Sequence, residues 1–131
     1  IFTFKDFYKE NDIKTDDIVI RDGSGVSRNN LFSADWMTNS LSKLYKRSDF
    51  SNFKDKMAQP GDGTLANRLH DLRGDVWLKT GSLANVSSLA GYVKSQDGHT
   101  YSVAIMIQNF TEAQQKVKEF EDEIINIIYN K

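Results

Sequence analysis

The stretch VWLKTGSLANVSSLAGYVKSQDGHTYSVAIMIQ, residues 76–108, decides the fold because it contains three strand patterns in succession. Apolar and β-branched residues predict strands at Val76–Lys79, Ser88–Lys94 and Thr100–Gln108. Between the last two strands, Gln96–His99 contains Asp-Gly, a preferred pair for a tight hairpin turn. The sequence therefore predicts an antiparallel sheet of about three strands.

The third of these strands predicts a larger sheet than the chain supplies. Its core, residues 103–107, is apolar at every position, which is typical of a strand covered on both faces. Such a strand usually lies inside a sheet, yet the sequence offers it only one evident neighbour. We therefore expect further strands from sequence that precedes this chain.

The remaining segments predict mostly helix. Ser33 can cap a helix that runs to about Arg47, and a shorter helix contains Phe50, Phe53 and Met57. The last helix begins at a Thr111-x-x-Gln114 capping box, and its expected buried stripe is Val117, Phe120, Ile124 and Ile128. Residues 1–9 are expected to end a helix, Ile18–Ile20 to form a short strand, and Thr64 to cap a helical turn through Leu65, Leu69 and Leu72.

Composition excludes several classes of protein. The 131 residues fit one modest domain, and the net charge of −1 gives no general attraction to nucleic acid or acidic membrane. The chain has no cysteine, so disulfides and thiolate metal sites are excluded. No apolar run is long enough for a membrane span, and no signal peptide is visible. Because the chain starts at Ile1 inside an aromatic-rich stretch, we expect it to be the later part of a longer protein.

Three short segments occur in an informative order. The first is Asp22-Gly23-Ser24-Gly25-Val26-Ser27-Arg28, and the second is Gly61-Asp62-Gly63-Thr64-Leu65 with Arg68-Leu69. The third is Lys79-Thr80-Gly81-Ser82-Leu83, followed by Leu89-Ala90-Gly91-Tyr92-Val93. Together they resemble the penicillin-binding D-Ala-D-Ala carboxypeptidase/endopeptidase family, the low-molecular-mass type with large inserted domains. The second segment is slightly shorter than the family's Gly-x-Asp-Gly-Thr-Leu pattern.

The resemblance implies an α+β protein with part of a β-lactamase/transpeptidase-like fold, including a long C-terminal helix. Residues 1–131 would be the C-terminal part of the penicillin-binding domain, without the upstream Ser-x-x-Lys and Ser-x-Asn motifs. The implied whole protein is a periplasmic or extracytoplasmic serine-type peptidase that needs no cofactor. Its substrate would be a peptidoglycan peptide ending in D-Ala-D-Ala, and β-lactams would inhibit it. The partner of this chain would be the missing N-terminal part of the same protein.

The third segment carries the substrate chemistry that the resemblance implies. An extended peptide with a free carboxylate can pair with a strand edge, while a cation and a hydroxyl bind its anionic end. Lys79 would supply the positive charge and assist proton transfer, and Thr80 would bind the carboxylate. Gly81 would leave room for the peptide backbone, and the Ser82 N–H would be one oxyanion donor. Asp22, Gly23, Ser24 and Gly25 would be nearby scaffold, or only a tight turn.

Other residues give weaker indications of a catalytic or metal-binding role. Ser40-x-x-Lys43, Ser51-x-x-Lys54 and Ser27-x-Asn29 match the missing motifs, but all three follow Asp22 where the family has them before it. We therefore interpret them as coincidental, with residues 40–54 forming a polar helix face. His70 and His99 have no partner at metal-ligand spacing, so no metal site is predicted. Trp36 and Trp77 are interpreted as core anchors.

Two alternatives stay open at this point. The chain could be a non-catalytic module that binds peptidoglycan peptide, or another protein, through an open sheet edge. It could also be a relative of β-lactamases, although the Asp22–Arg28 and Gly61–Leu65 segments favour the peptidase family. A surface lysine at a strand end remains the alternative interpretation of Lys79.

Overall fold

A computed structural model describes residues 3–131; Ile1 and Phe2, which belong to the predicted N-terminal helix, lie outside the described part. Its centre is an antiparallel sheet in the order β1-β2-β3, formed by Val76–Leu83, Val86–Lys94 and Thr100–Gln108. The predicted three-stranded sheet is confirmed, and so is the Asp-Gly turn, where Gly98 has a φ of +85°. β1 extends four residues beyond the prediction, so Lys79 lies within a strand and not at its end.

Helices cover the two faces of this sheet. In chain order they are α1 (Phe4–Glu10), α2 (Ala34–Tyr45), α3 (Phe50–Lys54) and α4 (Gln114–Tyr129), with two 3-10 turns at Gly63–Leu65 and His70–Leu72. α2 packs on one face of β2 and β3, while α4 packs mainly on the opposite face of β2. Mixed helices and strands with an antiparallel sheet confirm the α+β prediction.

The hydrophobic core lies between the sheet and α4. Strand residues alternate between faces, so Val76, Leu78, Leu89, Val93 and Val103 point to the same side. They are buried together with Ile125 of α4 and with Leu65 and Leu72 from the two 3-10 turns. Burial of apolar side chains on this face is the main force that holds α4 to the sheet.

Tyr92 joins the sheet to the helices of the other face. Its side chain is fully buried, and its hydroxyl donates a 2.8 Å hydrogen bond to the Leu41 carbonyl of α2. Its ring packs edge-on against Phe50 of α3 at 4.9 Å between centroids. Burial raises the pKa of this phenol well above its usual range. Tyr92 therefore stays neutral and fixes α2 and α3 over the strand next to Lys79.

Several local predictions were wrong at element boundaries. Ile18–Ile20 is not a strand, because only Val19 makes a bridge, with Leu31. The N-terminal helix is a short, complete α1 with a capping box at Thr3. Thr64 lies inside a 3-10 turn and does not cap it, and α4 begins after Ala113 without the predicted Thr111 cap. α2 begins after Ser33 as predicted, since the Ser33 hydroxyl accepts a bond from the Trp36 N–H.

The burial of the β3 side chains also differs from the prediction. In the core of the strand only Val103 is buried, and residues 104–107 are half-buried. α2 and α4 contact its two faces without enclosing them, and in the described chain β3 pairs only with β2. The apolar sequence of β3 is therefore more extensive than its burial within residues 3–131.

The buried stripe of α4 differs from the predicted one at its centre. Val117 is buried as expected, but it is followed by Glu121 and Ile125, both fully buried. Phe120, which was predicted to be buried, is 55% exposed. Hydrophobic spacing was misleading here because the stripe contains a carboxylate, which apolar periodicity does not recognise as a core residue.

Arg68 explains how Glu121 is buried. Its guanidinium lies 3.0 Å from Glu121 Oε2 and 2.7 Å from Asp122 Oδ1, and it also donates to the Lys118 carbonyl. Burial disfavours the charged guanidinium, but the hydrogen bonds and charges of the two carboxylates outweigh this and raise the Arg68 pKa. Glu121 Oε1 accepts no hydrogen bond from the described residues. Arg68 thus fastens the loop before β1 to α4.

We expect Arg68→Ala to lower the free energy of unfolding by about 3 kcal/mol, because it leaves the buried Glu121 carboxylate without its cation. Urea unfolding measures the change. The matched control is Arg28→Ala, because the Arg28 guanidinium is exposed and makes one bond to a turn carbonyl. An Arg68→Ala protein as stable as wild type would contradict this role for the Arg68 pair.

Candidate functional site

Lys79 lies in the middle of β1 on the face that carries α2 and α3. Alternation along the strand places it beside Trp77 and Gly81, at roughly 6.6 Å for each two-residue step. It is exposed, and its Nζ donates a 2.5 Å bond to the Thr80 carbonyl. Within residues 3–131 no carboxylate comes within ion-pair distance of it. Lys79 is therefore a cation available to an anionic ligand.

The edge of β1 next to Lys79 is open for pairing. The Leu78 N–H and C=O bond to Ala58 at 2.9 and 3.1 Å, on the side of β1 away from β2. Because hydrogen-bonding groups alternate in direction along a strand, those of Thr80 and Ser82 also face this outer side. No described segment continues the bridge beyond Ala58. The outer edge at Thr80–Ser82 can accept an extended peptide.

Gly81 is held close to the neighbouring strand. A Cβ built on Gly81 would lie 2.5 Å from Ser88 Oγ, its direct partner on β2. No side chain fits there unless Ser88 moves. Because Gly81 has no side chain, no atoms project from β1 at this position beside Lys79. A ligand backbone can therefore approach the strand closely here.

The segment Asp22–Arg28 forms a compact loop near the β1–β2 turn. Asp22 Oδ1 accepts bonds from the Ser24 N–H and hydroxyl at 2.9 and 2.7 Å, which hold the Asp22 pKa below its usual value. Gly25 takes a positive φ of 76°, while Gly23 does not. Arg28 donates a 2.8 Å bond to the Ala84 carbonyl in the turn after β1. The loop thus contacts the end of β1, and Asp22–Gly25 serve its internal geometry.

The lysines of the two Ser-x-x-Lys matches interact with residues other than their motif serines. Ser40 is buried in α2, which corrects the expectation of a wholly polar face, and its hydroxyl donates to the Trp36 carbonyl of its own helix. Lys43 instead pairs with Asp12. In the other match, the Lys54 ammonium lies 4.3 Å from the centre of the Trp77 ring. Neither lysine is hydrogen-bonded to its motif serine.

The remaining single residues lie where structural roles explain them. Trp36 and Trp77 are half-buried, and the Trp36 indole donates to the Lys14 carbonyl. His99 lies beside Asp97 in the β2–β3 turn, and His70 begins a 3-10 turn. Among the described residues no group of three or more His, Asp or Glu side chains is arranged to hold a metal ion. No helix within residues 3–131 is long and apolar enough to cross a membrane.

Three contacts around Lys79 had no signal in the sequence. Ala58 bridges the outer edge of β1, Ser88 packs under Gly81, and Arg28 reaches the turn at Ala84. Each joins residues that lie far apart in the chain or on different strands. A single sequence does not reveal such pairs.

Comparison with known proteins gives a consistent result. The family model described as "D-Ala-D-Ala carboxypeptidase 3 (S13) family" matches residues 4–130. A D-alanyl-D-alanine carboxypeptidase of Actinomadura sp. (strain R39) is 34% identical over 94 residues, which are 66% of this chain and 18% of that protein. The D-alanyl-D-alanine carboxypeptidase DacB of Haemophilus influenzae is 28% identical over 137 aligned positions, 95% of this chain and 29% of the relative. The chain thus spans less than a third of these relatives.

Solved structures agree on the fold and on the family. Penicillin-binding protein 4 of H. influenzae, complexed with a β-lactam, superposes with a TM-score of 0.85 at 27% identity, over 97% of this chain and 32% of that one. A class A β-lactamase from Bacteroides cellulosilyticus superposes with a TM-score of 0.70 at 20% identity, over 94% of this chain and 50% of that one, and this likeness concerns the fold alone. The fold is β-lactamase/transpeptidase-like, and the chain belongs to the D-Ala-D-Ala carboxypeptidase 3 (S13) family.

Proposed function

We propose that this chain is the C-terminal part of a serine-type D-Ala-D-Ala carboxypeptidase/endopeptidase and supplies the Lys79–Ser82 wall of its active site. The observation that carries the proposal is the exposed Lys79 cation beside an open strand edge. A peptide ending in D-Ala-D-Ala offers a carboxylate for the cation and a backbone for the edge. Membership of the S13 family supports this choice of substrate.

Each residue of the wall has a separate task. Lys79 binds the anionic end of the peptide and assists proton transfer, and the Thr80 hydroxyl binds the same carboxylate. Gly81 carries no side chain and therefore leaves room for the peptide backbone beside Lys79. The Ser82 N–H, which by strand alternation faces the open edge, donates to the oxyanion of the tetrahedral intermediate.

The acylated serine lies outside residues 1–131 in this proposal. Within the described chain Lys43 and Lys54 interact with Asp12 and Trp77, so neither activates Ser40 or Ser51. The nucleophile and its lysine come from the N-terminal part of the same polypeptide, which binds against this chain. The whole protein acts on peptidoglycan in the periplasm or outside the cytoplasm, and β-lactams inhibit it by acylating the same serine.

The test uses the complete polypeptide that contains this chain. It is incubated with a peptide ending in D-Ala-D-Ala, and released D-alanine is measured with and without prior exposure to penicillin. We expect release that penicillin abolishes. Absence of release from a folded protein, or release that penicillin leaves unchanged, would refute the peptidase assignment.

A binding module remains the second candidate because the β1 edge can bind peptide without any nucleophile. NMR titration of the polypeptide with the same peptide separates the two functions. Shifts at Lys79–Ser82 without release of D-alanine would favour binding alone. Release together with these shifts would favour the peptidase.

A further inference from the structure

The Ser88 hydroxyl lies on the same face of the sheet as Lys79. Ser88 of β2 is the direct partner of Gly81 of β1, and Lys79 is paired with Ala90. Because paired residues, and residues two apart along a strand, share a face, all four project toward α2 and α3. Gly81 has no side chain and Ala90 has only a methyl group. The Ser88 hydroxyl is therefore the polar group that accompanies the Lys79 ammonium on these two paired positions.

Ser88 and Lys79 converge on the same peptide unit of β1. A Cβ at Gly81 would lie 2.5 Å from Ser88 Oγ, so this hydroxyl occupies the space that a side chain at position 81 would need. Lys79 Nζ lies 2.5 Å from the Thr80 carbonyl, which belongs to the peptide bond that joins Thr80 to Gly81. The hydroxyl reaches this peptide unit from β2, and the ammonium reaches it from β1. Both groups can therefore contact one small anion beside Gly81.

The Ser88 hydroxyl has no partner within the described chain. Its side chain is half-buried, and the hydroxyl makes no hydrogen bond to any of residues 3–131. By contrast, the Ser102 hydroxyl on the same face of β3 is bonded to the Ser42 hydroxyl at 3.1 Å. When a ligand binds to Ser88, only a bond to water is exchanged and no bond within the protein is lost.

Thr80 approaches a ligand from the other face of β1. It is paired with Leu89 and shares the face of Leu78, and both leucines are buried in the core beside α4. A carboxylate has two oxygens, and each can accept about two hydrogen bonds. Thr80 can therefore bind one oxygen while the second oxygen remains on the Lys79 face.

We propose that Ser88 is a further substrate-binding residue, whose hydroxyl donates a hydrogen bond to this second carboxylate oxygen beside the Lys79 ammonium. The inference rests on the proposed function, which places the carboxylate of a peptide ending in D-Ala-D-Ala at Lys79–Ser82. A hydrogen bond to an ionised acceptor is stronger than one between neutral groups. Gly81 is essential to the arrangement, because a side chain at position 81 would displace the hydroxyl.

The experiment measures how the complete polypeptide binds an uncleavable analogue of the peptide, in which a CH₂ group replaces the scissile nitrogen. The analogue is titrated by NMR in two forms, one with a C-terminal carboxylate and one with a C-terminal carboxamide. We expect Ser88→Ala to weaken binding of the carboxylate form about tenfold and to change binding of the carboxamide form less than about twofold. Release of D-alanine from the cleavable peptide is measured in parallel.

Two variants control for a structural effect. Ser88→Thr keeps the hydroxyl, so we expect it to bind the carboxylate form within about threefold of wild type. Ser102→Ala removes a hydroxyl from the same face of the sheet, but this hydroxyl is bonded to Ser42 and lies on β3. We expect Ser102→Ala to bind both forms as wild type does.

Two results would overturn the proposal. Unchanged binding of the carboxylate form to Ser88→Ala would remove Ser88 from the site, and an equal loss for both forms would mean that the hydroxyl does not bind the carboxylate. Release of D-alanine separates this inference from the proposed function. Normal release with unchanged binding refutes the role of Ser88 alone, whereas a selective loss of binding without any release by wild type refutes the peptidase function alone.

Discussion

Lys79→Ala is expected to lower the rate of labelling by fluorescent penicillin about 10²-fold in the complete polypeptide. The substitution removes the exposed cation beside the open β1 edge, which in the proposed function binds the carboxylate of penicillin and assists proton transfer. Groups that assist proton transfer typically contribute 10²–10⁴-fold to a rate. The measurement is the time course of fluorescence incorporated into the protein at a fixed concentration of penicillin.

The matched control for this experiment is Lys94→Ala. Lys94 is exposed at the far end of β2 and carries the same charge, so its loss has the same effect on net charge. We expect its labelling rate to stay within about twofold of wild type. Equal rates for wild type and Lys79→Ala would remove Lys79 from the active site, and an equal loss in both variants would indicate a general charge effect.

Gly91→Ala is expected to lower the free energy of unfolding by more than about 4 kcal/mol, or to prevent folding. A Cβ at position 91 would lie 2.0 Å from the Trp77 carbonyl oxygen and 3.0 Å from Leu78 Cα, both in the backbone of β1. Backbone atoms cannot rotate away as side chains do, so β1 would have to separate from β2. Overpacking usually costs about 1–3 kcal/mol, and a backbone collision belongs to the rare larger values.

Gly23→Ala is the control for this prediction, because a Cβ there would meet only the Phe4 ring at 3.6 Å, an ordinary contact. Thermal and urea unfolding of both variants should show a change within about 0.5 kcal/mol for Gly23→Ala. A Gly91→Ala protein that unfolds like wild type would contradict the close approach of β1 and β2. Since Lys79 lies on β1, loss of this approach should also reduce penicillin labelling.

The sheet was predictable because its signals are local. Alternating and apolar runs define the three strands, and Asp97-Gly98 fixes the second turn. The exposure of Phe120 on α4 was not predictable, because Phe120 looks like a core residue when only its spacing along the sequence is considered. Burial of Glu121 depends on Arg68, 53 residues earlier in the chain, and this pair exists only in the folded protein.

The candidate site also has parts that the sequence predicts and parts that it does not. The Lys79–Ser82 run is contiguous, so the sequence alone could propose it as a candidate site. β1 continues past this run to Leu83 because Val86–Lys94 pairs with the whole strand. The sequence did not show which part of the β1 edge stays open, since this depends on Ala58 bonding to Leu78 and on the bridge ending there. Chain order predicts that the Ser40 match is coincidental, and in the structure the Ser40 hydroxyl donates to the Trp36 carbonyl of its own helix.

The most direct test of the central claim is to map the penicillin adduct in the complete polypeptide by proteolysis and mass spectrometry. The account predicts one acylated serine outside residues 1–131, followed three residues later by lysine. An adduct on Ser40, Ser51 or any other serine of this chain would contradict it, because the chain would then contain the nucleophile itself.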